Sequence, residues 1–418
     1  MICYKFPPMQ SVSCNRTWAI YKGMQEYFDS VHVVSTSNRH LLPQDEINTS
    51  SVPIADARTI DYRTIFQRRG NPSVAGEKAK TSLFGKTAAK LQSSFPTLYL
   101  FGEGNALYIR NAIQAAERIL KTHRITHLFS TFPPYADHLV AAKLKRDYPE
   151  LFWIADFRDL HVDPAQDNLL WRKYQQKVNR RILLDADLVT TVSEGLAQHL
   201  KDFHPCVQVL QNGVRASLQR SPEHYPKFTI AYTGSMFQDK RRPDTLLAAI
   251  RQLIEKGICT VHDIELVYAG KDSAVWWPLV IRYGLQPIFK DLGLLSRKEA
   301  ETIQQRSHIN ILLTYSTDTL KGNLTGKLYD YLAAGRPLLV VINGPSDAEI
   351  ESLITETGAG IVVYHNEVER TVEFIAKLYD IWKHTHDLKH TYNASAMKKL
   401  MWPAILEEFV TKNKRILK

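Results

Sequence analysis

Short runs of apolar residues alternate along this chain with longer amphipathic stretches. This alternation is typical of βαβ units, in which helices connect buried parallel strands. In the first half it predicts strands over residues 2–6, 31–35, 127–130, 152–156, 188–192 and 207–210. It predicts helices over residues 18–27, 106–122, 136–148, 170–185 and 193–203. Between residues 42 and 101 the chain is irregular and basic, and only one helix is predicted, over 81–93.

A polar, proline-containing segment at residues 216–227 reads as a linker, and the alternation restarts after it. Further strands are predicted over residues 228–233, 264–269, 287–291, 309–314, 337–342 and 360–364. Helices are predicted over residues 245–256, 275–283, 297–305, 326–334, 347–357 and 368–383. Two such sets predict an α/β fold of two doubly wound domains that face each other across a central cleft.

The predicted domains are residues 1–218, residues 226–385 and a helical segment over 386–418. That last segment is basic, and two interpretations of it stay open. It packs back on the first domain, or it lies on an anionic surface.

The composition adds a preference for anionic partners. The chain has 418 residues, 44% apolar and 23% charged, with a formal net charge of +10. This excess favours nucleotide phosphates, nucleic acid or an anionic membrane face, although plain solubility accounts for it equally well. The stacked-aromatic and basic pattern of nucleic-acid modules is missing from the sequence, so no nucleic-acid partner is expected.

A glycine turn follows the strand that opens the second domain. Gly234 and Ser235 come directly after that strand, and the triplet Lys240, Arg241 and Arg242 precedes the next helix. A glycine at this place allows a phosphate or a sugar to approach the backbone closely. Arginine binds a diphosphate bidentately and lysine binds it as a point charge. A solvated charge run is the alternative, but it is unfavourable at a helix start without an anion.

A second loop, containing Thr325 and Gly326, opens the predicted helix over residues 326–334. Its free N–H groups can face an anion. Lys327 adds a positive charge in the first turn, and Asp330 lies on the same helical face. This combination suits a ligand that carries both phosphates and sugar hydroxyls. The alternative is a surface lysine beside an acid that stabilises the helix dipole.

The first domain holds another group of charges, Asp156, Arg158 and Asp159, at the end of an apolar run. They cannot be buried unpaired, so they form ion pairs or face a ligand. An Arg158–Asp156 structural pair is one interpretation. Asp159 is the best candidate for a carboxylate that binds or deprotonates an acceptor hydroxyl.

Two loops of the first domain complete the candidate groups. The sequence STFPP, residues 130–134, precedes a helix in which His138 acts as a base or a sugar ligand, or simply packs. The loop at Pro8 follows the first predicted strand, and Arg16 in the next helix either holds an anion or lies on the surface.

Several classes of enzyme are disfavoured by missing motifs. No P-loop, zincin, nucleophile-elbow or C-x-x-C pattern occurs. The four cysteines have no metal-ligand spacing. No apolar run reaches transmembrane length, and the N-terminus does not read as a signal peptide. We expect a reduced, cytoplasmic protein without a metal or cofactor.

The order of these motifs resembles the bacterial family 4-like glycosyltransferases of the GT-B type. The series is FPP, STFPP, DFRD, ADLVTTVSEGL, QNGV, YTGS and TGKLYDYLAAGRPLL. The last, residues 325–339, is the strongest match, because it is similar to the family segment that ends in E-Y-L-A-a-G-k-P-i-L. The resemblance implies two Rossmann-like domains in the GT-B arrangement.

The resemblance also implies a function. It is the metal-independent transfer of a hexose from a UDP- or GDP-linked sugar to a glycan or lipid-linked acceptor, with retention, in cell-surface polysaccharide biosynthesis. The donor diphosphate would contact Gly234, Ser235, Arg241 and Lys327, and Asp330 would bind the ribose in place of the family's glutamate. The acceptor would bind the first domain around Pro8, Arg16, His138, Arg158 and Asp159.

Other interpretations stay open. A nucleotide-sugar 2-epimerase shares the two-domain shape but fits the motif order less well. The alternative that is not an enzyme is a basic binding protein. Contact of the basic tail with the inner face of the membrane is compatible with the transferase, although a solvated C-terminal helix explains the tail equally well.

Overall fold

A computed structural model describes residues 1–41, 47–60, 83–215, 223–236, 240–386, 388 and 390–414. The chain divides into two compact units. Unit 1 comprises residues 1–211 and 405–418, and unit 2 comprises residues 212–404. The predicted boundaries at 218, 226 and 385 stay predictions, and residues 216–222 of the predicted linker lie outside the described part of the chain.

Unit 1 alternates strands with helices. Its strands are β1 (Val33–Thr36), β2 (Ile54–Ala57), β3 (His127–Phe132), β4 (Phe152–Phe157), β5 (Leu188–Thr191) and β6 (Val207–Val209). Its helices are α1 (Val12–Met24), α2 (Leu83–Ser93), α3 (Leu98–Phe101), α4 (Ala106–Thr122), α5 (Ala136–Asp147), α6 (Arg172–Leu183), α7 (Glu194–Lys201) and, near the C-terminus, α15 (Trp402–Lys412).

The strands of unit 1 form a four-stranded parallel sheet in the order β3-β4-β5-β6 and a parallel pair, β1-β2. Ile2 bridges the two, because it pairs with both Val34 and Ser130. The predicted strand over residues 2–6 is therefore reduced to a bridge at one residue. Its continuation contains Pro7 and Pro8, which have no N–H to donate to a ladder.

Helix α15 packs against unit 1. A Cβ atom on Gly23 would lie 2.1 Å from Leu406 Cδ1, so the two helices touch where the side chain is smallest. The amides of Gln208 and Asn413 exchange two hydrogen bonds of 2.9 Å each. Helical structure in the basic segment is thus divided between α15 and the short helix α14 (Ala394–Lys399) of unit 2.

Unit 2 repeats the alternation. Its strands are β7 (Phe228–Thr233), β8 (Ile264–Ala269), β9 (Phe289–Asp291), β10 (Ile309–Tyr315), β11 (Leu338–Asn343) and β12 (Gly360–Tyr364). Its other helices are α8 (Asp244–Glu255), α9 (Ser273–Arg282), α10 (Arg297–Arg306), α11 (Gly326–Ala334), α12 (Ala348–Thr357) and α13 (Val368–Thr385).

The sheet of unit 2 is parallel, with the order β12-β11-β10-β7-β8-β9. The order reverses between β7 and β10, which makes this the topological switch point of a doubly wound fold. Ligands of such folds bind beyond the carboxyl ends of the strands at the switch point. Gly234 follows β7 and the loop before α11 follows β10, so the fold positions both predicted donor motifs there.

Both units have apolar cores. Trp153 in unit 1 and Trp276 in unit 2 are fully buried. Within the described residues, no helix is long and apolar enough to cross a bilayer.

Candidate functional site

The carboxyl end of β7 is fixed by two helices. Tyr331 of α11 accepts a hydrogen bond from the N–H of Thr233 at 3.0 Å and donates its hydroxyl hydrogen to the Thr233 carbonyl oxygen at 3.1 Å. Gln304 of α10 donates to Thr233 Oγ1 at 2.7 Å. The turn that follows is therefore held in register with the start of α11, although almost 100 residues separate them in sequence.

Gly234 has a backbone φ of 122°, which favours glycine. A Cβ atom built on it would lie 2.3 Å from both Cε and Nζ of Lys327. The turn is also packed from behind, since a Cβ atom on Gly270 would lie 2.4 Å from the Gly234 carbonyl oxygen. The sequence predicts a phosphate or a sugar close to this glycine, and the structure places the lysine ammonium there.

Lys327 is half-buried, and the hydrogen bonds that it donates go to neutral oxygens. Nζ donates to the Tyr232 hydroxyl at 3.0 Å and to the Ser235 carbonyl oxygen at 3.1 Å. It also lies 4.7 Å from the centre of the Tyr232 ring. Burial, and then the nearby Arg241 guanidinium, lower the pKa of Lys327 to about 7. An anion in this position would restore the charged form.

The three residues of the basic triplet before α8 make different contacts. Arg242 is exposed and forms hydrogen bonds of 2.9 and 3.2 Å to Asp244, in the first turn of that helix. Lys240 Nζ lies 4.8 Å from the centre of the Tyr315 ring. Arg241 is the member whose charge acts on Lys327. The structure thus brings Arg241 and Lys327 together and engages Arg242 with the helix.

The start of α11 contains an unusual cap. Thr325 stands at the N-cap position with extended backbone, but its side chain makes no capping hydrogen bond. Its Oγ1 is buried, and no partner for it occurs among the described residues. Gly326 is the first residue of the helix. A buried hydroxyl without a partner costs free energy, so an acceptor group supplied by a ligand would stabilise this end of the helix.

Asp330 lies one turn further along α11. Its Oδ1 is 3.6 Å from Arg297 Nη2, and a third of its side chain is exposed. Burial raises the pKa of Asp330, and Arg297 opposes that rise. Gly322, in the loop before α11, donates its N–H to Asp347 at 2.7 Å.

Unit 1 contains a different kind of charged group. Asp156 is fully buried and accepts hydrogen bonds from Arg16 at 2.7 and 3.0 Å. It also accepts from Thr131 and Thr190 at 3.0 and 2.9 Å. Burial alone would raise the pKa of Asp156, but Arg16, together with Thr190 and Arg158, holds the pKa below its ordinary value.

The partner of Asp156 is thus Arg16 rather than Arg158. Arg16 also donates to the carbonyl oxygens of Leu210 and Gln211 at 2.7 and 3.2 Å, so it ties α1 to the end of β6. Arg158 instead donates to the carbonyl oxygens of Phe132 and Pro133, in the loop after β3. Burial lowers the pKa of Arg158, and Asp159 opposes this.

The other predicted acceptor residues differ in exposure. Asp159 is exposed and Pro8 is half-buried. His138 is fully buried, and its Nδ1 lies 2.8 Å from Ser130 Oγ. Burial lowers the pKa of His138 to about 3, so the ring is neutral. Its role as a base or a sugar ligand stays a prediction.

Sequence reasoning missed several residues that build the carboxyl edge of the sheet of unit 2. Tyr232 and Tyr331 contact Lys327 and the β7 end. Asp272 accepts from the N–H of Met236 at 2.6 Å and so holds the loop after Gly234. Tyr331 follows Lys327 by four residues, so its place on the same helical face was a usable signal.

Among the residues that the structure describes, no group of three or more His, Cys, Asp or Glu side chains is placed to hold a metal ion. A reaction without a metal stays a prediction.

Comparisons with known proteins identify the fold. No family model matches this chain, and no curated protein matches its sequence. Solved structures do match over its whole length. The sucrose-phosphate synthase of Thermosynechococcus elongatus has a TM-score of 0.60 and 11% identity, and the match covers 99% of this chain and 98% of that one.

Two further structures are similar over 99% of both chains, each with 10% identity. The lipopolysaccharide outer core galactosyltransferase WaaB in its apo form has a TM-score of 0.57. Anabaena Alr3699/HepE in complex with UDP-glucose has a TM-score of 0.56. At this identity the likeness shows the fold alone. It confirms the predicted class, an α/β protein of the GT-B type with two Rossmann-like domains.

Proposed function

We propose that this chain is a retaining, family 4-like glycosyltransferase that moves a hexose from a nucleotide-sugar to a glycan or lipid-linked acceptor. The observation that carries the proposal is the half-buried Lys327, which lies against the Gly234 turn with a pKa lowered to about 7. Among the described residues no carboxylate forms an ion pair with Lys327, and such a lysine at the switch point fits a site that receives an anion. The UDP-glucose complex of a structural neighbour supports the kind of anion.

The donor would bind unit 2. Its diphosphate would accept hydrogen bonds from Lys327 and Arg241 and from the N–H groups of Ser235 and Gly326. The Thr325 hydroxyl, which is buried without a described partner, would donate to a phosphate oxygen. Asp330 would accept hydrogen bonds from the ribose hydroxyls. Its side chain is one methylene shorter than the glutamate of the family.

The chemistry follows from those charges. The bond between the anomeric carbon and the diphosphate oxygen breaks, and the leaving diphosphate gains negative charge. Lys327 and Arg241 would stabilise that charge, as a metal ion does in other transferases. The acceptor hydroxyl oxygen forms the new bond to the anomeric carbon. Its proton passes to an oxygen of the leaving diphosphate.

The biological setting is part of the same proposal. A role in cell-surface polysaccharide biosynthesis, in the cytoplasm or at the inner face of the membrane, fits the net charge of +10. The galactosyltransferase among the structural neighbours belongs to lipopolysaccharide synthesis by its name, which supports this kind of setting.

A thermal-shift screen of UDP-, GDP-, ADP- and dTDP-sugars tests the donor. A ligand present at 100 times its dissociation constant adds about 2.7 kcal/mol of stability, which is read as a raised melting temperature. We expect one nucleotide class to raise it, and Lys327→Ala to abolish that shift. The control Lys256→Ala, at the end of α8, should keep it. No shift with any of the four would contradict the proposal.

The bound sugar is then incubated without an acceptor and followed by NMR. Inversion at C2 of free UDP-N-acetylglucosamine would show the epimerase instead. We expect an unchanged sugar ring with slow hydrolysis at most, and transfer when a glycan or lipid-linked acceptor is added.

A further inference from the structure

Unit 1 exposes a cluster of large apolar side chains. We call it the α3–α6 surface, and its members lie on α3 and at the start of α6. Their exposed fractions run from 38% to 71%, for Tyr99, Leu100, Phe101, Trp171 and Tyr174. Single exposed apolar residues are common on soluble proteins, but a contiguous group of them marks a surface that binds something.

Hydrogen bonds join the two parts of this surface. The N–H of Phe95 donates to Gln175 Oε1 at 2.8 Å, and Gln175 Nε2 donates back to the Phe95 carbonyl oxygen at 3.0 Å. The N–H of Leu170 donates to Ser94 Oγ at 2.8 Å. Burial raises the pKa of Tyr99, and the nearby Tyr174 raises it further. The residues before α3 and the first turns of α6 are therefore one continuous piece of unit 1.

The border of the surface is basic. Helix α6 has the sequence RKYQQKVNRRIL and contains no acidic residue. Lys173, Lys177 and Arg181 are exposed on it. Aromatic rings beside lysine and arginine match the interface of an anionic bilayer, where the rings occupy the headgroup level and the cations meet the phosphates.

The location connects this surface with the predicted acceptor residues. The Phe95 ring lies 5.1 Å from the Tyr135 ring, centre to centre. Tyr135 directly follows the prolines of the loop after β3, whose Pro133 carbonyl oxygen accepts from Arg158. The α3–α6 surface thus adjoins the carboxyl end of the sheet of unit 1, the side on which Asp159 lies.

We propose that the α3–α6 surface docks onto an anionic phospholipid bilayer. Leu100, Phe101 and Trp171 enter the interface, and Lys173, Lys177 and Arg181 contact the lipid phosphates. Docking in this orientation brings the predicted acceptor side of unit 1 to the headgroups, which suits an acceptor that is anchored in lipid. Only this last step rests on the proposed transferase function. The docking itself needs neither donor nor acceptor.

A bilayer fits this surface better than a protein partner does. The three cations lie on the same helix as Tyr174, and that helix contains no acid to balance them. In a dimer formed through this surface, the same cations of the two copies would face each other. Like charges across such an interface repel, whereas anionic lipids attract each cation by an independent contribution.

Vesicle flotation of the full-length chain tests the proposal. Vesicles of phosphatidylcholine alone are compared with vesicles that contain phosphatidylglycerol, at low and high salt. We expect flotation only with phosphatidylglycerol, weakened by salt. The triple variant Lys173→Gln/Lys177→Gln/Arg181→Gln should lower the partition coefficient on the order of 100-fold. The matched control Lys256→Gln/Lys290→Gln/Lys377→Gln removes equal charge from exposed positions of unit 2 and should float nearly as the wild type does.

The apolar part has its own pair of variants. Leu100→Ser/Phe101→Ser/Trp171→Ser should lower partitioning at least tenfold, because less apolar area enters the interface. Trp277→Ser/Ile281→Ser changes side chains that are 39% and 57% exposed on unit 2, and it should leave flotation unchanged. Circular dichroism melting of each variant confirms that the fold is retained.

Four outcomes would overturn the proposal. The wild type fails to float with phosphatidylglycerol, or both α3–α6 variants float as the wild type does. The variant Lys412→Gln/Lys414→Gln alone abolishes flotation, which would show that binding depends only on the basic tail. The apolar variant abolishes a dimer seen by analytical ultracentrifugation, and no flotation occurs. The docking is tested independently of the transferase proposal. Lys327→Ala should lose donor binding and still float as the wild type does.

Discussion

The carboxyl edges of the two parallel sheets hold buried charge in opposite ways. Asp156 in unit 1 is fully buried and accepts four hydrogen bonds, two of them from Arg16, and its pKa lies below the ordinary value. Lys327 in unit 2 contacts two neutral oxygens, and its pKa is lowered to about 7. The surroundings stabilise the charged form of the first group and destabilise the charged form of the second.

This difference distinguishes a structural charge, Asp156, from the charge that we propose binds the donor, Lys327. A buried pair with all its hydrogen bonds made has no need of a ligand, and its removal damages the fold. A lysine that is half neutral at pH 7 gains its full charge only when an anion arrives. Four changes test the contrast, in order of decreasing expected effect.

The first change breaks the structural charge. Arg16→Ala leaves Asp156 buried without its cation, which we expect to lower the free energy of unfolding by about 3–5 kcal/mol. Urea denaturation followed by circular dichroism measures this. Arg146→Ala is the control, since it removes an exposed pair with Asp185 at 2.8 Å and should cost at most about 1 kcal/mol. Equal losses in both variants would show that Asp156 does not depend on Arg16.

The second change removes the binding charge. Lys327→Ala should lower kcat on the order of 100-fold, because one cation facing the leaving diphosphate is lost. The urea midpoint should fall little, since the lysine contacts neutral oxygens only. Steady-state kinetics with the donor found in the thermal-shift screen give the number, with Lys256→Ala as the unaffected reference. Unchanged turnover would remove Lys327 from the donor site.

The third change displaces the lysine without altering it. Gly234→Ala adds a Cβ atom 2.3 Å from Lys327 Nζ, at a backbone φ of 122°. We expect donor affinity to fall about tenfold. Gly257→Ala is the control for a substitution at positive φ without a contact, because its φ is 68° and its Cβ atom would meet nothing within 4 Å. If both variants weaken the donor equally, the strain and not the lysine is responsible.

The fourth change is pH. Because the pKa of Lys327 is lowered to about 7, the free protein loses this proton as pH rises through neutrality. A diphosphate binds the protonated form, so donor affinity should fall about fivefold between pH 7 and pH 8. Calorimetry in two buffers of different ionisation enthalpy should also detect proton uptake on binding. Lys327→Ala should flatten the slope, and a slope that survives in this variant belongs to another group.

The lowered pKa of Lys327 also predicts how the stability of the ligand-free protein changes with pH. The unfolded lysine keeps its proton up to about pH 10.5, whereas the folded one loses it near pH 7. The unfolded state therefore binds more protons between these values, and Lys327 makes stability rise with pH across that window.

The fold was largely predictable because apolar runs report strands directly. Strands β7, β8 and β12 and helices α4 and α11 have the bounds that the pattern predicts. Strand β2 was missed, since its sequence Ile-Ala-Asp-Ala mixes polar and apolar residues on a short pair. The strand over residues 2–6 was overestimated, because apolar character does not show where each N–H donates, and the N–H of Tyr4 donates to the Asp137 carboxylate at 2.9 Å.

The site was predictable in its motifs and not in its contacts. The glycine turn, the basic triplet and the α11 start could each be recognised locally. The pairing of Asp156 with Arg16 spans 140 residues, so local sequence offered only the adjacent Arg158 as one possible partner. The burial of His138 depends on rings that come together only in the fold, such as Phe157 at 4.6 Å.

The hydroxyl of Tyr331 has a consequence for finding relatives of this chain. It satisfies both the N–H and the carbonyl of Thr233, and it lies one helical turn after Lys327. Phenylalanine at this position would leave that buried N–H without an acceptor, so we expect relatives of this chain to keep tyrosine here. A search for Thr-Gly after a strand, paired with Lys-x-x-x-Tyr at a later helix start, should detect descendants that whole-chain alignment overlooks.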